Sequence, residues 1–236
     1  MAATARGQSG INKKLEFLIS ILQRSTNMIK RNNYNEGMVA GEILKGISGS
    51  SSNFNNSEDR IIYINDYIES STIQNIIESI IEYNKEDDYQ EKLYALDNHT
   101  YHRKAIIIYV NTYGGSVYDG LALVGVIQTS KTPVHTIASG KVMSMGVIIA
   151  LAGHCRYATP FTTFMIHSVS GLAWGQVKDM EENVNETKRI HNVLMDFIKS
   201  NTKITSKKLK KIYKSKQDYY FDTDVAIALD FVQKVI

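Results

Sequence analysis

Two glycine-containing stretches of this chain carry residues able to act on a carbonyl group. Residues 140–146 read GKVMSMG and lie between a predicted strand, 134–138, and an apolar run, 147–152. Ser144 falls where the pattern changes from strand to helix. A sharp turn there projects a hydroxyl and leaves the following N–H groups facing the same space. The arrangement is that of a nucleophile elbow, although the GxSxG spacing is not met. A serine opening a helix is also an N-cap, and taken alone the position favours that plainer role. Residues 109–116 (YVNTYGGS) form the second stretch and follow the β-branched run 105–110. Paired glycines after a strand let the backbone turn sharply and bring its N–H groups towards a ligand. The GxxxxGK[ST] spacing of a phosphate loop is absent.

A serine nucleophile needs a base, and six histidines compete for the role. His99 and His102 sit in a polar stretch expected to be exposed. His191 falls in a long amphipathic segment, His135 in a predicted strand, and His154 just after the apolar run that follows Ser144; these three read as structural. His167 ends the apolar segment 164–166, and the end of a strand is where a parallel sheet presents functional side chains. Position alone does not select it.

The elements around these residues alternate. Residues 61–65 (IIYIN) predict a strand, and 70–83 a helix through Ile73, Ile76, Ile77, Ile80 and Ile81. Residues 84–104 are charged and aromatic without clear period and read as a surface insertion. Residues 105–110 (AIIIYV) predict a buried strand, 121–127 a helix and 134–138 another strand. Such alternation favours parallel strands joined by right-handed crossovers. The longest predicted helix spans 176–199, with Val177, Met180, Val184, Ile190, Val193, Leu194 and Phe197 near one stripe. Residues 205–216 carry several lysines and no acid, and read as a solvated helix face. Towards the start, residues 15–23 (LEFLISILQ) have the spacing of an amphipathic helix, a packing element or a partner's docking site. Residues 46–57 are almost wholly Gly, Ser and Asn, a flexible linker. A boundary is therefore expected near residue 57.

Composition excludes several classes. The net charge of +3 is too small to argue for nucleic-acid binding. No run approaches the ~18 apolar residues of a membrane span, and residues 1–10 lack the pattern of a signal peptide. A single cysteine, Cys155, rules out an internal disulfide and a cysteine metal cluster, and fits a reducing cytoplasm.

Five blocks, in order, resemble the Clp protease proteolytic subunit family. Residues 137–153 (IASGKVMSMGVIIALAG) are similar to its nucleophile region, and 164–167 (FMIH) to its Met-Ile-His element. Residues 109–115 (YVNTYGG) are similar to its Gly-Gly turn, 175–181 (GQVKDME) to the start of its long helix, and 218–226 (DYYFDTDVA) to the element bearing its aspartate. The resemblance covers roughly residues 60–236 and implies a peptidase domain over 58–236, preceded by an extension over 1–57. It implies an α/β fold of the ClpP/crotonase type, a spiral of repeated ββα units with a protruding long helix. It further implies a serine endopeptidase with Ser144 as nucleophile, His167 as general base and Asp218 as the acid that orients the base. The N–H groups of Gly115 and Met145 would form the oxyanion hole. Asp222 and Asp224 are rival third members, although Asp222 reads as a helix N-cap.

No metal or cofactor is implied for the cleavage. The implied substrate is a peptide or unfolded protein, the implied assembly a homo-oligomeric ring, and an ATP-dependent unfoldase is a candidate partner. The chain departs from the family at Tyr113, where a proline is usual, and at Ser168, Val169 and Ser170, which replace a Gln-Pro-containing stretch. Its shortened Ser-to-His segment resembles Clp-like peptidases of bacteriophages, which process capsid proteins. A catalytically inactive ring subunit is the rival reading, although such subunits often lack a triad residue and none is missing here. An acyl-CoA enzyme of the same fold would need no Ser-His-Asp set.

Overall fold

The computed structural model describes residues 60–168, 176–215 and 217–236. The helix expected at 15–23, the linker and the boundary near residue 57 lie outside them. The chain divides into two compact units, one of Arg60–Asp88 with His102–Ile236, the other including Tyr89–Tyr101. In this second unit Tyr94 meets Tyr101 edge-on, with ring centroids 5.3 Å apart.

The larger unit is an α/β structure around a mainly parallel sheet, as the resemblance implies. Its elements run β1 (Ile61–Ile64), α1 (Ser70–Leu96, whose last turns belong to the second unit), β2 (Ile106–Thr112), α2 (Val117–Thr129) and β3 (Val134–Met143). There follow α3 (Met145–Ala152), β4 (Cys155–Ala158), β5 (Thr163–Ile166), α4 (Val177–Asn201), α5 (Ser206–Ser215), β6 (Tyr219–Phe221), α6 (Thr223–Ala228) and β7 (Lys234–Val235). Among the described residues the sheet has the order β1-β2-β3-β4-β7, with β5 paired to β3 and β6 paired to β5. Only the β5–β6 pair is antiparallel.

Strand β3 is the hinge of this layout. Its first half, through Ala138, pairs with β4. Beyond Gly140 (φ 65°), Lys141, Val142 and Met143 pair instead with β5. This bend carries the end of β3, and hence Ser144, next to the end of β5, and hence His167.

The apolar run of β2 proves to be buried on one face only. Ile106, Ile108 and Val110 are fully buried, whereas Ile107 and Tyr109 are half-buried, and Tyr109 stacks on Tyr63 of β1 at 5.3 Å. The buried face packs with Ile73, Ile76 and Ile80 of α1, Leu123 and Ile127 of α2, and the wholly buried helix α3.

Residues 84–104, read as a surface insertion without clear period, are mostly exposed, but helix α1 runs on through Leu96. Polar bonds replace apolar contacts there. Asp87 is fully buried, accepts from both Nη1 and Nη2 of Arg60 at 2.8 Å and from Thr132 Oγ1 at 2.6 Å. Asn84 Oδ1 accepts from the N–H groups of Lys131 and Thr132, and its amide donates to Ser130 Oγ. A buried charge is stable only when paired and hydrogen-bonded in this way.

Helix α4 divides along its length. Ile190, Leu194, Met195 and Ile198 are buried, while Val177, Met180 and Val184 of its first turns are exposed. Tyr118 of α2 donates to Glu186 Oε1 at 2.6 Å. Arg189, one turn on, and Tyr118 together hold the Glu186 carboxyl down to about 2.

Candidate functional site

Ser144 links β3 to α3 in a backbone conformation that glycine normally supplies, with φ 52° and ψ −121°. Such a residue costs of order 1–3 kcal/mol and persists only where its surroundings over-determine it. Two bonds do so here: Ser144 N–H donates to Met165 O at 2.8 Å, and Val147 N–H donates to Ser144 O at 3.1 Å. Ser144 stands in the N-cap position of α3, yet its side chain makes no capping bond. The capping role that the position alone favours is thus not filled by its side chain. Its hydroxyl lies 2.8 Å from Nε2 of His167, a residue distant in sequence by 23 positions.

The glycine turn lies against the same point. A Cβ on Gly114 would come 2.7 Å from Ser144 Cβ and 2.9 Å from Met143 O, closer than side-chain carbons pack. One on Gly115 would run into the backbone of Ile68. The turn is fixed by Ile68 N–H to Gly114 O at 2.9 Å, Ser116 N–H to Ile68 O at 2.7 Å and Gly114 N–H to Thr112 Oγ1 at 3.0 Å. Tyr113, in place of proline, stacks on Tyr67 at 6.2 Å and lies under Lys141 Nζ at 4.8 Å.

Gly115, Ser144, Met145 and His167 line one pocket. Met145 opens helix α3, where the first N–H groups have no intrahelical partner and the helix dipole favours negative charge. The pocket's remaining walls are largely apolar: Val117, Ile148 and Ile166, then Leu194 and Ile198 of α4 and Tyr213 of α5, with Ser168 beside His167.

Asp218 immediately precedes β6. The β5–β6 ladder pairs Met165 with Tyr220 and Ile166 with Tyr219 and ends there; one further step of that register would set His167 opposite Asp218. Asp218 is exposed, and no hydrogen bond joins its carboxylate to His167 in this structure. Asp222 caps α6, accepting from Val225 N–H at 2.9 Å, and Asp224 lies in the first turn of that helix.

The other histidines have separate environments. His154 Nδ1 accepts from Val134 N–H at 2.9 Å. His135 meets Tyr157 edge-on, and burial, with nearby His154, pushes its pKa down. His191 meets Tyr213 edge-on and is lowered by burial. His99 and His102 are exposed. Among the described residues no cluster of three His, Cys, Asp or Glu could hold a metal ion, and no helix is long and apolar enough to cross a membrane.

Sequence reasoning missed the contribution of α5. Residues 207–214 (KKLKKIYK) stood out for their lysines, yet Leu209 and Ile212 are buried and Tyr213 reaches the pocket. The signal was present: apolar residues at positions 209, 212 and 213 have helical spacing. Lys207, Lys210, Lys211 and Lys214 are exposed, as a solvated face requires.

What fold and site define is a mainly parallel α/β protein in which a serine hydroxyl and an imidazole meet above an apolar pocket. Residues 52–236 match the sequence profile of the family described as Clp protease, and the chain belongs to that family. It is similar to the ATP-dependent Clp protease proteolytic subunit of Deinococcus radiodurans, with 29% identity over 181 residues, covering 76% of this chain and 81% of that protein. Family and relative together make the chain a peptidase by kind.

Proposed function

We propose that this peptidase is a serine endopeptidase in which Ser144, His167 and Asp218 act as a triad. The observation that carries the reading is the 2.8 Å contact between His167 Nε2 and a Ser144 hydroxyl released from capping. Ser144 Oγ attacks the scissile carbonyl carbon while its proton passes to His167 Nε2. The carbonyl oxygen gains the charge, and the N–H groups of Gly115 and Met145 are the donors that receive it; one such donor is worth about 3 kcal/mol. Collapse of the intermediate expels the amine, which takes the proton from His167. Water, deprotonated by His167, then frees the acyl group and restores Ser144. Asp218 has the role of holding the imidazole tautomer and stabilising its cation; catalytic bonds of this kind are often long before substrate binds.

The substrate is a peptide or unfolded protein, and a homo-oligomeric chamber encloses the site. Supporting enclosure are the exposed Val177, Met180 and Val184 on α4 and the relative's description as a subunit. That relative is ATP-dependent by name; ATP would be used by a separate unfoldase, because the steps above need none. A single free cysteine goes with a cytoplasmic setting. An inactive ring subunit would have no reason to keep Ser144 in a strained turn against a histidine.

Ser144→Ala tests the proposal. Turnover of an unstructured peptide should fall about 10³-fold or more, with the melting temperature and assembly preserved. Unchanged turnover in the purified variant would remove Ser144 as nucleophile.

A further inference from the structure

The turn that supplies Gly115 is built from residues with little stiffness of their own. Gly114 (φ 102°) and Gly115 (φ 150°) take conformations that suit glycine, and the same freedom lets the turn relax unless its neighbours restrain it. Residues 66–68 are those neighbours. On the inner side Ile68 is buried and bridges to Gly115, and Thr112 Oγ1 donates to Asp66 O at 2.7 Å. On the outer side Tyr67 and Tyr113 are 60% and 55% exposed, yet their rings stack with 6.2 Å between centroids and 29° between planes. Lys141 Nζ lies 4.8 Å from the centroid of the Tyr113 ring and donates to Asn111 Oδ1 at 3.2 Å. Lys141 directly follows the Gly140 bend that carries β3 to Ser144. The rings therefore join the segment that brackets the turn, the turn itself and the strand that ends at the nucleophile. The chemistry proposed above uses none of these side chains.

We propose that Tyr67 and Tyr113 are positioning residues, whose stacked rings clamp the glycine turn so that the Gly115 N–H stays aimed at the oxyanion. The inference rests on the peptidase reading above. The peptide unit between Gly114 and Gly115 is planar, so the direction of its carbonyl also fixes the direction of its N–H. That carbonyl is held by one bond, from Ile68 N–H at 2.9 Å. The stack sits one residue before each partner of this bond, with Tyr67 before Ile68 and Tyr113 before Gly114. It holds the two backbones in register where the glycines alone would not. An oxyanion donor is effective because it is already in place when charge develops and needs no reorganisation then. Without the rings the peptide unit rocks, and the N–H is out of line for part of the time.

The test is the kinetics of cleavage of an unstructured peptide, with kcat expressed per Ser144 titrated by a fluorophosphonate. In Tyr113→Ala kcat should fall about 10-fold with KM unchanged, short of the roughly 10²–10³ that outright loss of an oxyanion donor costs. A peptide aldehyde, which forms a tetrahedral oxyanion on the serine, should lose affinity by the same factor. Tyr67→Ala should act alike, and serves if the first variant does not fold. The double variant should lose no more than either single one, because both remove the same contact. Tyr113→Phe keeps the ring and should hold kcat to within about twofold of wild type. An unchanged kcat in the alanine variants, a rise in KM alone, losses that multiply in the double variant, or a phenylalanine variant as slow as alanine overturns the clamp. Each of those results leaves the peptidase reading intact. If the wild-type chain cleaves no peptide and Ser144 reacts with no serine-directed probe, the peptidase reading fails and takes this inference with it.

Discussion

At the scale of single residues, the site depends on which of several similar side chains is held where. Asp218, Asp222 and Asp224 crowd one short stretch, and only one can orient the imidazole. Asp222 is committed to the α6 N-terminus through its 2.9 Å bond from Val225 N–H. Asp218 immediately precedes β6, where the β5–β6 register continued by one step would set it opposite His167. Asp218→Asn should therefore lower turnover by orders of magnitude and leave the melting temperature almost unchanged. Asp222→Ala should cost about 1 kcal/mol of stability through the lost cap and retain most of the turnover. Measuring both quantities in both variants decides the matter, and the opposite pattern would move the acid to Asp222. The choice was partly legible in the sequence, since a short acid before a helical run signals a cap. Ser144 was not legible in this way: an elbow and a cap share the same sequence position, and only the direction of the hydroxyl separates them.

At the scale of elements, helix α1 shows where hydrophobic periodicity stops being informative. Its first turns announce themselves through isoleucines. Its continuation is held by Asp87, Arg60, Thr132 and Asn84, and polar packing leaves no apolar stripe to read. Asp87→Ala would leave the Arg60 guanidinium buried without its principal charge partner, at a cost of about 3–5 kcal/mol. The midpoint of urea unfolding should fall accordingly, and adding Arg60→Leu should recover part of the loss. A midpoint unchanged by Asp87→Ala would show that the pair contributes nothing to folding. Strand β2 teaches the converse. Its unbroken run IIIYV looks buried on both faces, but the partner elements cover only one, and no property of the strand alone reveals that. The bend at Gly140, which moves β3 from β4 to β5 and brings Ser144 to His167, is likewise a matter of pairing between distant segments.

At the scale of the whole molecule, the exposed apolar residues of α4 need a partner. Val177, Met180 and Val184 face solvent in the single chain, and exposed apolar groups on one face of a helix mark an interaction surface. On the proposed assembly they meet other copies, so the native protein should sediment as a large ring or double ring. Val184→Glu should shift it towards smaller species without unfolding the protomer. A strictly monomeric wild-type protein at micromolar concentration, fully active, would contradict enclosure. The stripe itself was legible in the sequence, whereas its division into a buried half and an exposed half was not, because burial depends on where the other elements end.

The central claim is that folding turns Ser144 into a nucleophile by setting its hydroxyl 2.8 Å from His167 Nε2. A fluorophosphonate probe tests it most directly, since the serine oxygen must displace fluoride from phosphorus with a base at hand. Incubation of the native protein with the probe, followed by peptide mass mapping, should find a single modified residue, Ser144. Labelling should vanish in Ser144→Ala, fall steeply in His167→Ala and be absent from the denatured chain. A native, folded protein that takes up no probe at Ser144, or takes it up equally when His167 is removed, would contradict the account.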